Sequence, residues 1–154
     1  MAQPEYPTSD DAPAAGHFAL VYLGAMLAVT VLASALEAVV GVPLPSGAGA
    51  VVPSIIAAML SGQRYAKRHG AIPSALPSWR FGMVGTVIAF LVSGAVAAAM
   101  LPVIPDVRSD LAVLTDLAGI VLIVAAFYFA VSVLLVRQFV RIGAKGVLRQ
   151  ATSA

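Results

Sequence analysis

Several stretches of this chain carry no charged residue over a length that matters physically. Phe18 to Leu36 and Phe81 to Met100 are two of them, apolar almost throughout. At about 1.5 Å per residue, roughly 20 helical residues cross a hydrocarbon layer. A backbone in lipid must satisfy its own hydrogen bonds, so such segments fold as helices or not at all. Composition agrees: 60% of the 154 residues are hydrophobic and 10% are charged. A soluble domain of this length needs more polar surface. The chain therefore reads as one integral membrane domain.

His17 to Val40 forms the first span, and Gly41, Pro43 and Pro45 break it. The second span is placed at 47–66, with Pro53 in its first turns, where early N–H groups lack intrahelical partners. A re-entrant segment is the rival reading. The third span is 81–100, with Ser78 as its N-cap. The fourth is 117–136, with Ser109 or Thr115 as its cap. Residues 1–16, rich in Pro, Ala and acids, read as a disordered tail that is retained and not cleaved. Residues 137–154 form a basic tail.

Charge sets the topology. With four spans, the 63–80 loop, the basic tail and the N-terminus share one side. Eight of the nine Lys and Arg residues then lie there, and only Arg108 lies opposite. The positive-inside rule makes that side the cytoplasm. A three-span arrangement loses this asymmetry, which favours a full crossing by the second segment. The expected fold is thus all-α: a bundle of four transmembrane helices with both termini cytoplasmic.

Helix contacts in lipid favour small residues that admit close approach. Such residues recur at every fourth position as Thr30, Ser34 and Ala38, as Ala50, Ser54, Ala58 and Gly62, and as Gly85, Ala89, Ser93 and Ala97. These stripes are expected to face the bundle interior. Trp79, Tyr65 and Tyr22 lie near the predicted boundaries, where interfacial aromatics collect.

Glu37 is the single acid within a long apolar segment. It lies roughly 30 Å along its helix from His17, which places it at the far edge of the hydrocarbon. Two readings stand: an interfacial carboxylate paired with Arg108, or a proton- or cation-handling group. Arg64, Lys67 and Arg68 share one helical face. Arg137, Arg141, Lys145 and Arg149 follow at four-residue intervals, as an interfacial helix on anionic headgroups or as a stop signal. Arg64, Arg68 and His69 could hold a lipid phosphate, or the loop could simply be solvated.

No catalytic set emerges. Cysteine is absent, His17 and His69 are far apart in sequence, and no metal-ligand spacing, phosphate loop or nucleophile motif occurs. No cofactor is expected. The basic residues are too few for nucleic-acid binding. The expected function is therefore non-enzymatic: an accessory or scaffold subunit packing with other membrane proteins, with further copies of itself or with lipids. The alternative is a subunit of a small oligomeric transporter or channel with Glu37 in its pathway.

The stretches "ALEAVVGVPLPSG", "AAMLSGQRYAKRHGAIPS" and "WRFGMVGT" together resemble an uncharacterised family of small bacterial inner-membrane proteins with four helices. The motifs concerned are Glu37, the Pro45–Gly47 turn, Gly62 to Tyr65, His69 to Pro73, and Trp79 with Arg80. The resemblance covers roughly residues 20–100. Ala71 stands where the family pattern has Arg, and Pro77 where it often has Glu. The resemblance implies a four-helix fold and an inner-membrane location, and no activity.

Overall fold

The computed structural model describes residues 8–9, 11–41, 48–100 and 118–152. Four helices hold nearly all of them: α1 (Ala15–Val40), α2 (Ala48–His69), α3 (Ala75–Met100) and α4 (Ala118–Thr152). Two-residue strands, β1 (Thr8–Ser9) and β2 (Ile72–Pro73), pair in parallel. The protein is all-α, as its apolar segments require. Three helices, α1, α3 and α4, are long and apolar enough to cross a membrane.

The helix ends have local causes. Gly41 adopts a left-handed backbone (φ 69°), and its N–H donates to the Glu37 carbonyl at 2.8 Å. Gly70 (φ 60°) does the same to Ala66 at the end of α2. Glycine reaches this conformation without a Cβ penalty, which makes it a natural helix stop.

Helix α3 begins at Ala75, ahead of the expected 81. Leu76 and Pro77 occupy its first turn, where proline costs no hydrogen bond. Ser78, read from sequence as a cap, is instead buried inside the helix. Its hydroxyl donates to the Ser74 carbonyl at 2.7 Å.

Helix α4 does not stop at residue 136. It continues through the basic residues to Thr152, 35 residues in all and roughly 52 Å long. The anticipated separate tail is thus the last third of a helix. Val140 and Ala144 are fully buried there, so packing sustains the helix where hydropathy falls.

Part of the segment expected to be disordered is ordered. Thr8 and Ser9 pair with Ile72 and Pro73, and the Ser74 N–H donates to the Ser9 carbonyl at 2.9 Å. Pairing covers the buried Ile72, a gain that composition alone does not reveal.

The core gathers at one end of the bundle. Phe18, Tyr22 and Met26 of α1 meet Ala57 and Ala58 of α2, Phe81 and Ala89 of α3, and Val136 and Val140 of α4. Phe18 stacks on Tyr22 at 6.0 Å and meets Phe81 edge-on at 5.6 Å. Tyr22 is therefore a core residue, not an interfacial one. Tyr65 is likewise buried, leaving Trp79 as the partly exposed member of the three.

Phe18 meets Phe81 and Gly85, and Tyr22 meets Ser93 further along both helices. Helices α1 and α3 thus run side by side in the same direction. Helix α2 runs between them in the opposite direction, since His17 meets Ser61 and Tyr22 shares a cavity with Ser54. Helix α2 is not apolar enough to be a span by composition, because Gln63 to His69 form its last two turns. Its packing against α1 and α4 reduces the surface it shows to its surroundings.

Small residues decide how close α2 comes to α4. Ser54, Ala58 and Gly62 are buried as expected, and so are Gly85 and Ala89 in α3. A Cβ on Gly62 would collide with the Val140 carbonyl, and one on Gly143 with the Met59 carbonyl. The stripe on α1 behaves otherwise. Thr30, Ser34 and Ala38 are exposed, and no described residue of α1 beyond Met26 is buried.

Candidate functional site

A cavity lies between all four helices, just beyond the aromatic core. Its volume is about 310 Å³. Helix α3 supplies one wall through Thr86, Ala89, Phe90, Ser93 and Ala97, whose small members leave the room. Tyr22 enters from α1, Ser54 from α2, and Tyr128 and Ser132 from α4. Phe90 packs on Tyr128 and Phe129, each at 5.6 Å between ring centres.

The polar groups here are all hydroxyls. The Tyr22 hydroxyl and Ser93 Oγ form a hydrogen bond of 2.8 Å between α1 and α3. Thr86 is 0% exposed, and its Oγ1 has no hydrogen-bond partner among the described residues. No charged residue lines the cavity, and most of its wall is apolar. Such a chamber suits a neutral molecule held by one or two hydrogen bonds, not an ion.

A second, smaller pocket of about 70 Å³ sits at the basic end, against the first turn of α1. His17 Nδ1 lies 3.4 Å from Ser61 Oγ. His69 stacks on Tyr65 at 4.4 Å, and its Nδ1 lies 3.1 Å from the Tyr65 carbonyl oxygen. That contact is a hydrogen bond when Nδ1 carries the proton. His69 Nε2 is 3.6 Å from Asp11. Arg64 and Arg68 complete the lining. The fold thus brings together two histidines that sequence spacing keeps apart. They form no metal site: among the described residues no three His, Cys, Asp or Glu side chains converge.

The other basic residues divide into two kinds. Arg64, Lys67, Arg68 and Arg149 are exposed, whereas Arg137, Arg141 and Lys145 are half-buried. Arg137 lies over the Trp79 ring at 4.4 Å, a cation–π contact. The Nε atoms of Arg137 and Arg141 are buried without a hydrogen-bond partner among the described residues.

Glu37 lies exposed in the last turn of α1 and lines neither cavity. Its expected partner Arg108 lies outside the described residues. The cavity residues Thr86, Tyr128 and Ser132 were not singled out from sequence. Their signal was there: hydroxyl side chains inside otherwise apolar spans.

The geometry defines a small helical bundle in which three helices are long and apolar enough to cross a membrane. No protein-family model, curated protein or solved structure matches the chain.

Proposed function

We propose that the protein is a non-enzymatic accessory or scaffold subunit of the bacterial inner membrane, packing with another membrane protein, with further copies of itself or with lipids. One observation carries this reading. Beyond Met26 in α1, and before Val133 in α4, no described residue is buried on any face. Val39 is 84% exposed, Leu122 71% and Phe127 72%. Apolar half-helices left largely uncovered present surface that only lipid or another membrane helix covers well. Thr30, Ser34 and Ala38 on the bare half of α1 offer a partner helix a close approach.

In this reading all four helices cross, with α2 shielded by α1 and α4, and both termini are cytoplasmic. The basic end then faces anionic headgroups, with Arg64, Lys67, Arg68, Arg137, Arg141, Lys145 and Arg149 near them. Each base close to the surface contributes about 1 kcal/mol. Membership of the inner-membrane family that the Glu37 and His69 to Pro73 elements resemble belongs to the same reading.

Co-purification from native membranes in several mild detergents tests it. A stoichiometric membrane-protein partner or a defined homo-oligomer is the expected result. A monomer that carries only lipid, in every detergent, counts against a protein partner. Reporter fusions at both termini test the orientation.

The alternative, a transporter or channel subunit, draws on Glu37 standing exposed at the open end of the bundle. It requires ion- or pH-dependent flux in liposomes that Glu37→Gln abolishes. Liposomes of the unaltered protein with no flux would sink it.

A further inference from the structure

We infer that the central cavity binds an uncharged lipid-phase molecule by its hydroxyl or carbonyl head, as a diacylglycerol or a prenol would be held. The inference rests on the helices lying in a membrane and is independent of any protein partner.

The starting point is Thr86. A hydroxyl in a helix within lipid needs an acceptor or donor, because an orphan polar group in apolar surroundings loses its hydration with nothing in return. Thr86 Oγ1 is fully buried and lacks a partner among the described residues, and it belongs to a residue that lines the cavity. On the same wall, Tyr22 and Ser93 share one hydrogen bond. A tyrosine hydroxyl and a serine hydroxyl retain further capacity after that single bond. Tyr128 and Ser132 add two more hydroxyls opposite. With Ser54 from α2, six hydroxyl side chains thus line one chamber.

Three properties narrow the ligand. The lining carries no charge, so an ionised head would enter without compensation. The wall is mostly apolar, which holds a hydrocarbon or ring better than a cluster of waters. The volume of about 310 Å³ is some ten times the ~30 Å³ share of a water and lies at the lower end for small-molecule pockets. It admits a head group and the start of a chain. The remainder has a way out: Gly94 and Ala97 line the cavity yet are exposed, so the chamber opens towards the bare half of the bundle. A molecule already dissolved in the bilayer enters from there without crossing water.

The test is photo-labelling of the full-length protein in nanodiscs with a diazirine-bearing diacylglycerol. Dioctanoylglycerol and dioctanoylphosphatidylglycerol serve as neutral and anionic competitors. Label is expected on peptides containing Tyr22, Phe90 and Ser93, and only the neutral competitor should displace it. Thr86→Val keeps the shape and removes the hydroxyl. It should weaken competition about 2- to 12-fold, the equivalent of one hydrogen bond worth about 0.5–1.5 kcal/mol. Gly94→Phe should reduce the label, because Gly94 lines the cavity and a Cβ there meets nothing within 4 Å. If that variant does not fold, Thr86→Val and Ser93→Ala decide the matter.

Equal displacement by the anionic competitor would overturn the inference, as would label spread evenly over outward Leu20, Leu23 and Leu91. An unchanged response in Thr86→Val and Ser93→Ala would do the same. A carbonate wash separates the two levels. Release of the protein from membranes overturns the membrane reading and this inference together. Retention without displaceable label overturns the cavity assignment alone.

Discussion

Gly62 of α2 rests directly on the backbone of Val140 in α4, with no room for a side chain between them. Gly143 makes the reciprocal approach to Met59, so two glycines set the closest crossing of the bundle. In lipid, such contact replaces the hydrophobic effect as the source of helix association.

Gly62→Ala should therefore destabilise the fold despite its better helix propensity. Overpacking of this kind costs about 1–3 kcal/mol. Gly24→Ala is the control, since nothing lies within 4 Å of its added methyl. It should be neutral or slightly stabilising, by up to about 1 kcal/mol. Thermal unfolding in one detergent, with both variants and Gly143→Ala, checks the contrast. Equal melting temperatures for Gly62→Ala and Gly24→Ala would show that the α2–α4 crossing is looser than described.

The Tyr22–Ser93 hydrogen bond ties α1 to α3 within the apolar zone. Tyr22→Phe and Ser93→Ala should each weaken the bundle, and their combination should cost less than the sum. The expected coupling is about 0.6 kcal/mol, the average for interhelical hydrogen bonds in a membrane protein. A double-mutant cycle of unfolding in mixed micelles measures it, and strict additivity would mean that the two hydroxyls do not meet.

Trp79 is the sole tryptophan, and Arg137 covers its ring. Arg137→Gln should change the tryptophan emission and remove about 0.5–2 kcal/mol of stability, the range of cation–π contacts. Arg149→Gln should alter neither, because Arg149 is exposed on a later turn of α4. Fluorescence spectra of the two variants, recorded in the same detergent, separate a stacked guanidinium from a general loss of positive charge.

Deletion of residues 1–9 should release β2. The Ser74 amide donates to the Ser9 carbonyl, and Ile72 and Pro73 are buried beneath the pairing. Hydrogen exchange at Ser74 should rise on deletion, with little change at amides in the middle of α3. Unaltered exchange at Ser74 would show that the strand pair contributes nothing to local stability.

Much of the fold was legible because lipid imposes simple demands. Nineteen or twenty uncharged residues can only be a helix there, so α1 and α3 were plain from Phe18 to Leu36 and Phe81 to Met100. Helix ends were partly legible. Gly41 and Gly70 stop helices for a reason carried by the residue itself. Ser78 misled, because a serine near a boundary can equally sit inside a helix and bond to the preceding turn. The α4 boundary was hidden for another reason. Arg137 and Arg141 end an apolar run without ending a helix, since packing on α2 continues to reward it.

The cavity was less legible. Ser54 and Ser93 stood out from sequence as small residues suited to close packing, whereas in the fold they contribute hydroxyls to a chamber. Thr86, Tyr128 and Ser132 lie on two helices whose relative rotation no local pattern fixes. The same holds for His17 and His69, which are distant in sequence and line one pocket.

By itself, then, the sequence determined the all-α class, the apolar spans and the concentration of positive charge at one end. These follow from the energy of placing single residues in lipid or water, which each residue carries with it. The tertiary structure alone decided which hydroxyls meet, which small stripe is buried and which is bare, and how far α4 runs. Those outcomes depend on the distance and rotation between helices. Contacts such as Gly62 on Val140 set them, and a contact of that kind exists only once the chain has folded.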